Sequence, residues 1–137
     1  MDKGLLEAAR AGEKITLKQV QDAVSKRGAL GVLMNRFHEK YDLLLTPTLP
    51  LPAFDAGKEV ADVVKERRWT DWTPFSYPFN LTQQPAASIP CGLTKAGLPA
   101  GLHIVGPKYG DALVLRAARA YESAQPIAMP DLGKLRK

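Results

Sequence analysis

Phe75-Ser76-Tyr77-Pro78-Phe79-Asn80-Leu81-Thr82-Gln83-Gln84-Pro85-Ala86-Ala87-Ser88-Ile89-Pro90-Cys91-Gly92 leads, four residues on, into Gly97-Leu98-Pro99-Ala100-Gly101-Leu102-His103-Ile104-Val105-Gly106. Pro and Gly bound two short runs here, Ala86 to Cys91 and Ala100 to Val105, each of strand length and partly β-branched. Two adjacent strands are expected. The connection from Gly92 to Pro99 holds two Gly and a Pro, which supply the positive φ and the fixed φ that a reversal needs. Pro90 has no N–H for a ladder and belongs at a strand end or on an unpaired side.

Working outward, Leu43-Leu44-Leu45 is a continuous apolar run closed by Thr46-Pro47, the pattern of a strand covered on both faces. Pro47, Pro50 and Pro52 then keep the chain extended, because the residue before each Pro is pushed out of the helical region. Thr16-Leu17-Lys18-Gln19 has the form of a capping box. Leu17, Val20, Val24, Gly31, Met34 and Tyr41 recur at helical spacing behind it, which predicts a helix to about Lys40. Ala23, Leu30, Leu33 and Phe37 widen its apolar side, so it wants more than one partner. Leu5 to Ala11 should form a short helix ended by Gly12 as a left-handed cap. Lys58 to Arg68, with Val60, Val63 and Val64, is expected as a surface helix. Asp111 is expected to cap a last helix ending before Pro126, and residues 130–137 to form a loose tail.

The 137 residues suit one domain with one core, and 45% hydrophobic against 24% charged residues opposes disorder. The net charge of +5 comes from scattered Lys and Arg, densest at Lys65-Arg67-Arg68 and Lys134-Arg136-Lys137. A solvated helix face and a basic tail account for it without nucleic acid. Cys91 is the sole cysteine, which excludes an intrachain disulfide and fits a reducing cytoplasm. The N-terminal residues are too polar for a signal peptide, and no apolar run approaches the roughly 20 residues of a membrane span.

Pro78-Phe79-Asn80-Leu81-Thr82, Pro85-Ala86, Pro90, Gly92, Gly97-Leu98-Pro99, Gly101-Leu102, Asp111 and Glu122 together resemble the C-terminal part of the amidase signature family of serine hydrolases. Tyr41-Asp42-Leu43-Leu44-Leu45-Thr46-Pro47 and Trp69-Thr70-Asp71-Trp72-Thr73-Pro74-Phe75 extend the likeness in the right order. It implies an α/β fold of helices on a mixed sheet, with Asn80, Pro85, Pro90, Gly97, Pro99 and Gly101 as structural motif positions. The chain departs from the family pattern at Gln83, where the family usually has Gly, and at His103, where it usually has Gln. The chemistry so implied needs a nucleophilic Ser, a second Ser bridging through a cis peptide, and a Lys base in a Gly/Ser-rich signature. This sequence has no Ser-Ser and no Gly-Gly pair. The expectation is a non-catalytic C-terminal portion of an amidase, with no catalytic residue of its own, completing the fold and walling the substrate pocket.

Trp69, Trp72, Phe75, Tyr77 and Phe79 crowd eleven residues with apolar surface. In the resembled family this region approaches the acyl side of the substrate cleft, so Trp72, Phe75, Tyr77 and Phe79 are the candidate pocket residues. Asn80 is expected to tie the loop to a strand end. Ser88 and His103 fall close if the two strands pair, and with Asp111 would make a triad, but no nucleophile-elbow pattern surrounds Ser88. Cys91 with His103 is a second thin possibility, the plainer reading of Cys91 being a small buried side chain. His38 suits a helix end. Two separated His and one Cys give no metal-ligand spacing, and Gly106 to Gly110 lacks any phosphate-loop pattern, so neither metal nor cofactor is expected. The expected partners are a small amide substrate, bound only with an N-terminal part, and further copies of the chain through an unpaired sheet edge. A stand-alone binding or assembly protein derived from such a domain is the alternative.

Overall fold

The computed structural model describes residues 3–62, 65 and 68–126. The elements run α1 (Lys3–Gly12), α2 (Leu17–His38), β1 (Leu44–Pro47), a 3-10 turn (Trp69–Trp72), α3 (Tyr77–Thr82), β2 (Ala86–Leu93), β3 (Pro99–Val105) and α4 (Asp111–Ala124). The capping box at Thr16 is formed in full: its hydroxyl accepts from the Gln19 N–H, and the Gln19 side chain accepts from the Thr16 N–H. The chain is thus α/β, helices on a sheet.

The sheet has the order β1-β3-β2 and is antiparallel throughout the described residues. Leu44 pairs with Val105 and Ala86 with Val105 on the other side, so β3 is central. Pro90 lies at a register shift in an edge strand, where its missing N–H costs no ladder bond. Gly92 (φ 136) and Gly97 (φ 78) carry the positive φ of the β2–β3 reversal, which Thr94 fastens by accepting from the Leu98 N–H.

Directly opposed residues share a face. Ala87, Ile89, Leu102 and Ile104 point one way and pack under Val114, Ala118 and Tyr121 of α4, forming the core. Thr46, Ser88 and His103 make a row on the opposite face, where Phe79 of α3 packs edge-on against the His103 ring at 5.4 Å. The expectation that Leu43–Leu45 is covered on both faces fails at Leu45, which is 57% exposed. The physical reason is reach: α4 packs chiefly on β2 and β3, and of this run Leu43 but not Leu45 packs against the core.

Three further expectations change. Asp111 sits inside α4, and Gly110 is the cap. Gly12 ends α1 without a positive φ, the chain turning instead through Lys14 N–H to Ala11 O and Ile15 N–H to Gly12 O. Residues 58–62 are not helical, because Val60 is drawn inward and the Glu59 carbonyl accepts from the Trp72 indole N–H at 3.0 Å. Val63, Val64, Arg67 and the expected tail at 130–137 lie outside the described residues.

Candidate functional site

A cleft of about 930 Å³ opens between the Pro-rich segment after β1 and the near ends of β2 and β3. That volume is in the range of small-molecule sites, roughly 300 to 1,000 Å³. One wall is made by Leu49, Leu51, Phe54 and Trp72. Phe54 meets Trp72 edge-to-face, centroids 5.5 Å apart and planes at 85°, a preferred aromatic geometry. With its indole N–H held by the Glu59 carbonyl, Trp72 turns only ring surface to the space. The extended run set by Pro47, Pro50 and Pro52 carries Phe54 across to that partner.

The floor is polar. Thr48 Oγ1 and Ser88 Oγ are 2.7 Å apart, a hydrogen bond across 40 residues of sequence. Gly101 lies beneath them. A Cβ built there would come within 2.7 Å of Thr48 Oγ1 and 3.0 Å of Ser88 Oγ, so the hydroxyl pair can rest on the strand only where no side chain exists. The Thr48 N–H donates to the Gly101 carbonyl at 2.9 Å and fixes the approach. Cys91, at the β2 irregularity, lines the same cleft, its thiol donating to the Ala100 carbonyl.

His103 lies behind this floor rather than in it. The ring is buried, its Nδ1 3.4 Å from Thr46 Oγ1. Burial holds its pKa below the ordinary 6.5, while a hydrogen bond to the Phe75 main chain pulls the other way. Strand pairing does bring Ser88 opposite His103. Yet the Ser88 hydroxyl is engaged with Thr48, and Asp111 stands at the start of α4 beyond the end of β3.

Of the candidate pocket residues, Trp72 lines the cleft. Phe75 is half-buried and serves His103 through its main chain, Phe79 packs on the His103 ring, and Tyr77 is 45% exposed. The three are not among the cleft's lining. Asn80 sits on the exposed side of α3, and the helix itself, not its amide, organises this segment. Pro85, through its carbonyl, accepts from the Gly106 N–H and joins the two strand ends. Thr48, Phe54, Ser88 and Cys91 are among the lining residues that sequence alone left out of the pocket. Their signal is the pairing of Pro47 with Leu102, which sets Thr48 beside Gly101, and that register is invisible before the strands are aligned.

The Amidase family model matches residues 5–115. The chain is 46% identical over 87 residues to the A subunit of the glutamyl-tRNA(Gln) amidotransferase of Myxococcus xanthus, covering 64% of this chain and 17% of that protein. It is 35% identical over 133 residues to an acylamidase of Rhodococcus erythropolis, covering 93% and 28%. The crystal structure of a bacterial aryl acylamidase of the amidase signature family superposes with a TM-score of 0.79 at 30% identity, over 92% of this chain and 27% of that one. The chain therefore spans less than a third of the length of each of these relatives. With the family model matching residues 5–115, most of the sequence, the chain belongs to the amidase family.

Proposed function

We propose that the chain is the C-terminal structural and substrate-pocket portion of an amidase that hydrolyses carboxylic amide bonds, and that it is not catalytic by itself. The observation that carries this reading is the cleft: a site-sized space walled by Phe54 and Trp72, with paired hydroxyls on its floor. The family match adds the reaction class. Ser76 and Ser123 donate to main-chain carbonyls and Ser88 is tied to Thr48, arrangements that fix side chains rather than activate them. Nucleophile, base and oxyanion donors would come from other sequence. No helix among the described residues is long and apolar enough to cross a membrane, and the proposed setting is the cytoplasm.

The experiment is a graft. Residues 5–115 replace the matching segment of the Rhodococcus erythropolis acylamidase, and amide hydrolysis is compared for the graft and for this chain alone. The graft is expected to turn over substrate, and this chain is expected neither to do so nor to take a serine-directed fluorophosphonate label. Turnover or labelling by the chain alone removes the non-catalytic reading; a folded but inert graft removes the pocket reading.

A second reading, a binding or assembly protein derived from such a domain, is favoured by α2. None of its 22 residues is buried, and Leu17, Val24 and Leu33 stand more than 60% exposed.

A further inference from the structure

Thr46 has one hydroxyl proton and two acceptors in reach: its Oγ1 lies 3.0 Å from the Pro47 carbonyl oxygen and 3.4 Å from Nδ1 of His103. The proton serves one of them at a time. The buried ring is also hydrogen-bonded to the Phe75 main chain, and this bond works against burial by favouring the cation. A bond with that effect is one the ring donates, so the Phe75 carbonyl receives a ring N–H.

A neutral imidazole carries one N–H and one bare nitrogen, and an imidazolium carries two N–H groups. With Nε2–H given to Phe75, the neutral ring leaves Nδ1 bare, an acceptor for the Thr46 hydroxyl. A proton added at Nδ1 reverses that bond. Nδ1–H then donates to Thr46 Oγ1, and the hydroxyl proton is freed for the Pro47 carbonyl. The neutral state thus makes one of the two Thr46 hydrogen bonds, and the charged state makes both.

The elements around the ring leave this exchange to Thr46. β1 has no titratable side chain, and neither has the stretch 73–76. On β2 the one titratable group is Cys91, whose thiol donates to the Ala100 carbonyl, and on α3 it is Tyr77, 45% exposed. Arg27 and Lys108, which reach the α3 segment, are held by the Leu81 carbonyl and by Gln83 Oε1. Ser88, opposite the ring across the ladder, is bonded to Thr48, and Phe79 covers the ring edge-on.

We propose that His103 and Thr46 form a proton-operated hydrogen-bond switch behind the cleft: with the ring neutral, Thr46 donates to Nδ1; with the ring protonated, Nδ1 donates to Thr46, which donates in turn to the Pro47 carbonyl. Thr46 and Pro47 both line the cleft, so the charge on a buried ring is passed to its edge.

The test is an NMR titration of the isotope-labelled full chain. In the neutral range the His103 ring is expected to be protonated on Nε2 and bare on Nδ1, and on acidification the Pro47 carbonyl carbon is expected to shift with the same midpoint as the ring. Thr46→Val keeps the β-branch and removes the hydroxyl, which costs the charged state two hydrogen bonds and the neutral state one. The ring midpoint should therefore fall by about half to one pH unit, the loss of roughly one net hydrogen bond, and the Pro47 response should vanish. Thr46→Ser should restore both. A neutral wild-type ring protonated on Nδ1 overturns the switch whatever the variants do. A wild-type Pro47 carbonyl that does not follow the ring, or a midpoint unmoved or raised in Thr46→Val, overturns the relay through the hydroxyl.

Discussion

Gln83 closes α3 in the left-handed region, at φ 63, where a side chain crowds the following carbonyl and only Gly is at ease. The departure from the family's usual Gly thus falls on a position whose backbone asks for Gly. Part of the strain is offset by the Lys108 ammonium, which donates to Gln83 Oε1 at 3.1 Å on the exposed surface. Gln83→Gly is expected to stabilise the chain by about 0.5 to 1 kcal/mol, because the left-handed penalty it removes outweighs the weak surface hydrogen bond it gives up. Urea unfolding of the two proteins measures it, and a loss of stability in the variant would refute the strain argument. The sequence marks this residue as unusual but not why, since a φ is set by what the next element must reach. Gly101 is the reverse case. Its place in the family motif is plain from the chain, and its physical cause, two hydroxyls within about a van der Waals contact of a missing Cβ, needs β1 brought alongside β3.

At the scale of elements, the docking of α3 on the sheet depends on His103 staying neutral. Phe79 covers its ring, Thr46 and Ser88 flank it, and none of these neighbours brings a carboxylate to offset a positive charge. Its pKa is lowered in the fold, burial being the larger cause. The unfolded chain therefore binds the proton more readily, and stability rises with pH through this range. The contribution is full above the ordinary 6.5 and is lost as pH falls below it towards the lowered folded value. His103→Gln, the residue usual in the family, is expected to flatten this acid-side slope. Melting temperatures of both proteins at about pH 5 and about pH 8 test it. Equal acid sensitivity in the two would place the titration elsewhere. The strands around this site are legible in the sequence because Pro and Gly punctuate them, and α2 because Thr16 and Gln19 announce it. Helix α3 is not, since six residues with Pro78 near the start are too few for a periodic pattern. The cleft is legible only through Trp72, because the rest of its aromatic wall depends on Phe54, 18 residues away in sequence, and its floor depends on the sheet register.

For the whole molecule, what is left uncovered sets the expected behaviour in solution. Among the described residues β1 and β2 are both edges of a three-stranded sheet, and Leu45 of β1 is exposed. Along α2, Leu17, Val24 and Leu33 are exposed at 73%, 63% and 62%, and that helix packs chiefly on α3, with the Arg27 guanidinium donating to the Leu81 carbonyl at 2.7 Å. A helix of this length carrying so much apolar surface to water is unusual for a monomer, and open edges add unpaired backbone donors and acceptors. In relatives more than three times as long there is ample further chain to cover such surfaces, whereas this chain by itself has only further copies. Self-association is therefore expected, dimer or larger, driven by burial of the α2 face at roughly 25 cal/mol per Å². Sedimentation equilibrium should show mass rising with concentration. Val24→Lys with Leu33→Lys should shift the chain towards monomer without loss of helix by circular dichroism, because both positions are already solvated in the single chain. A wild-type chain that stays monomeric at high concentration would mean that these faces are tolerated in water, and would leave the amidase portion without the drive to assemble that its surface implies.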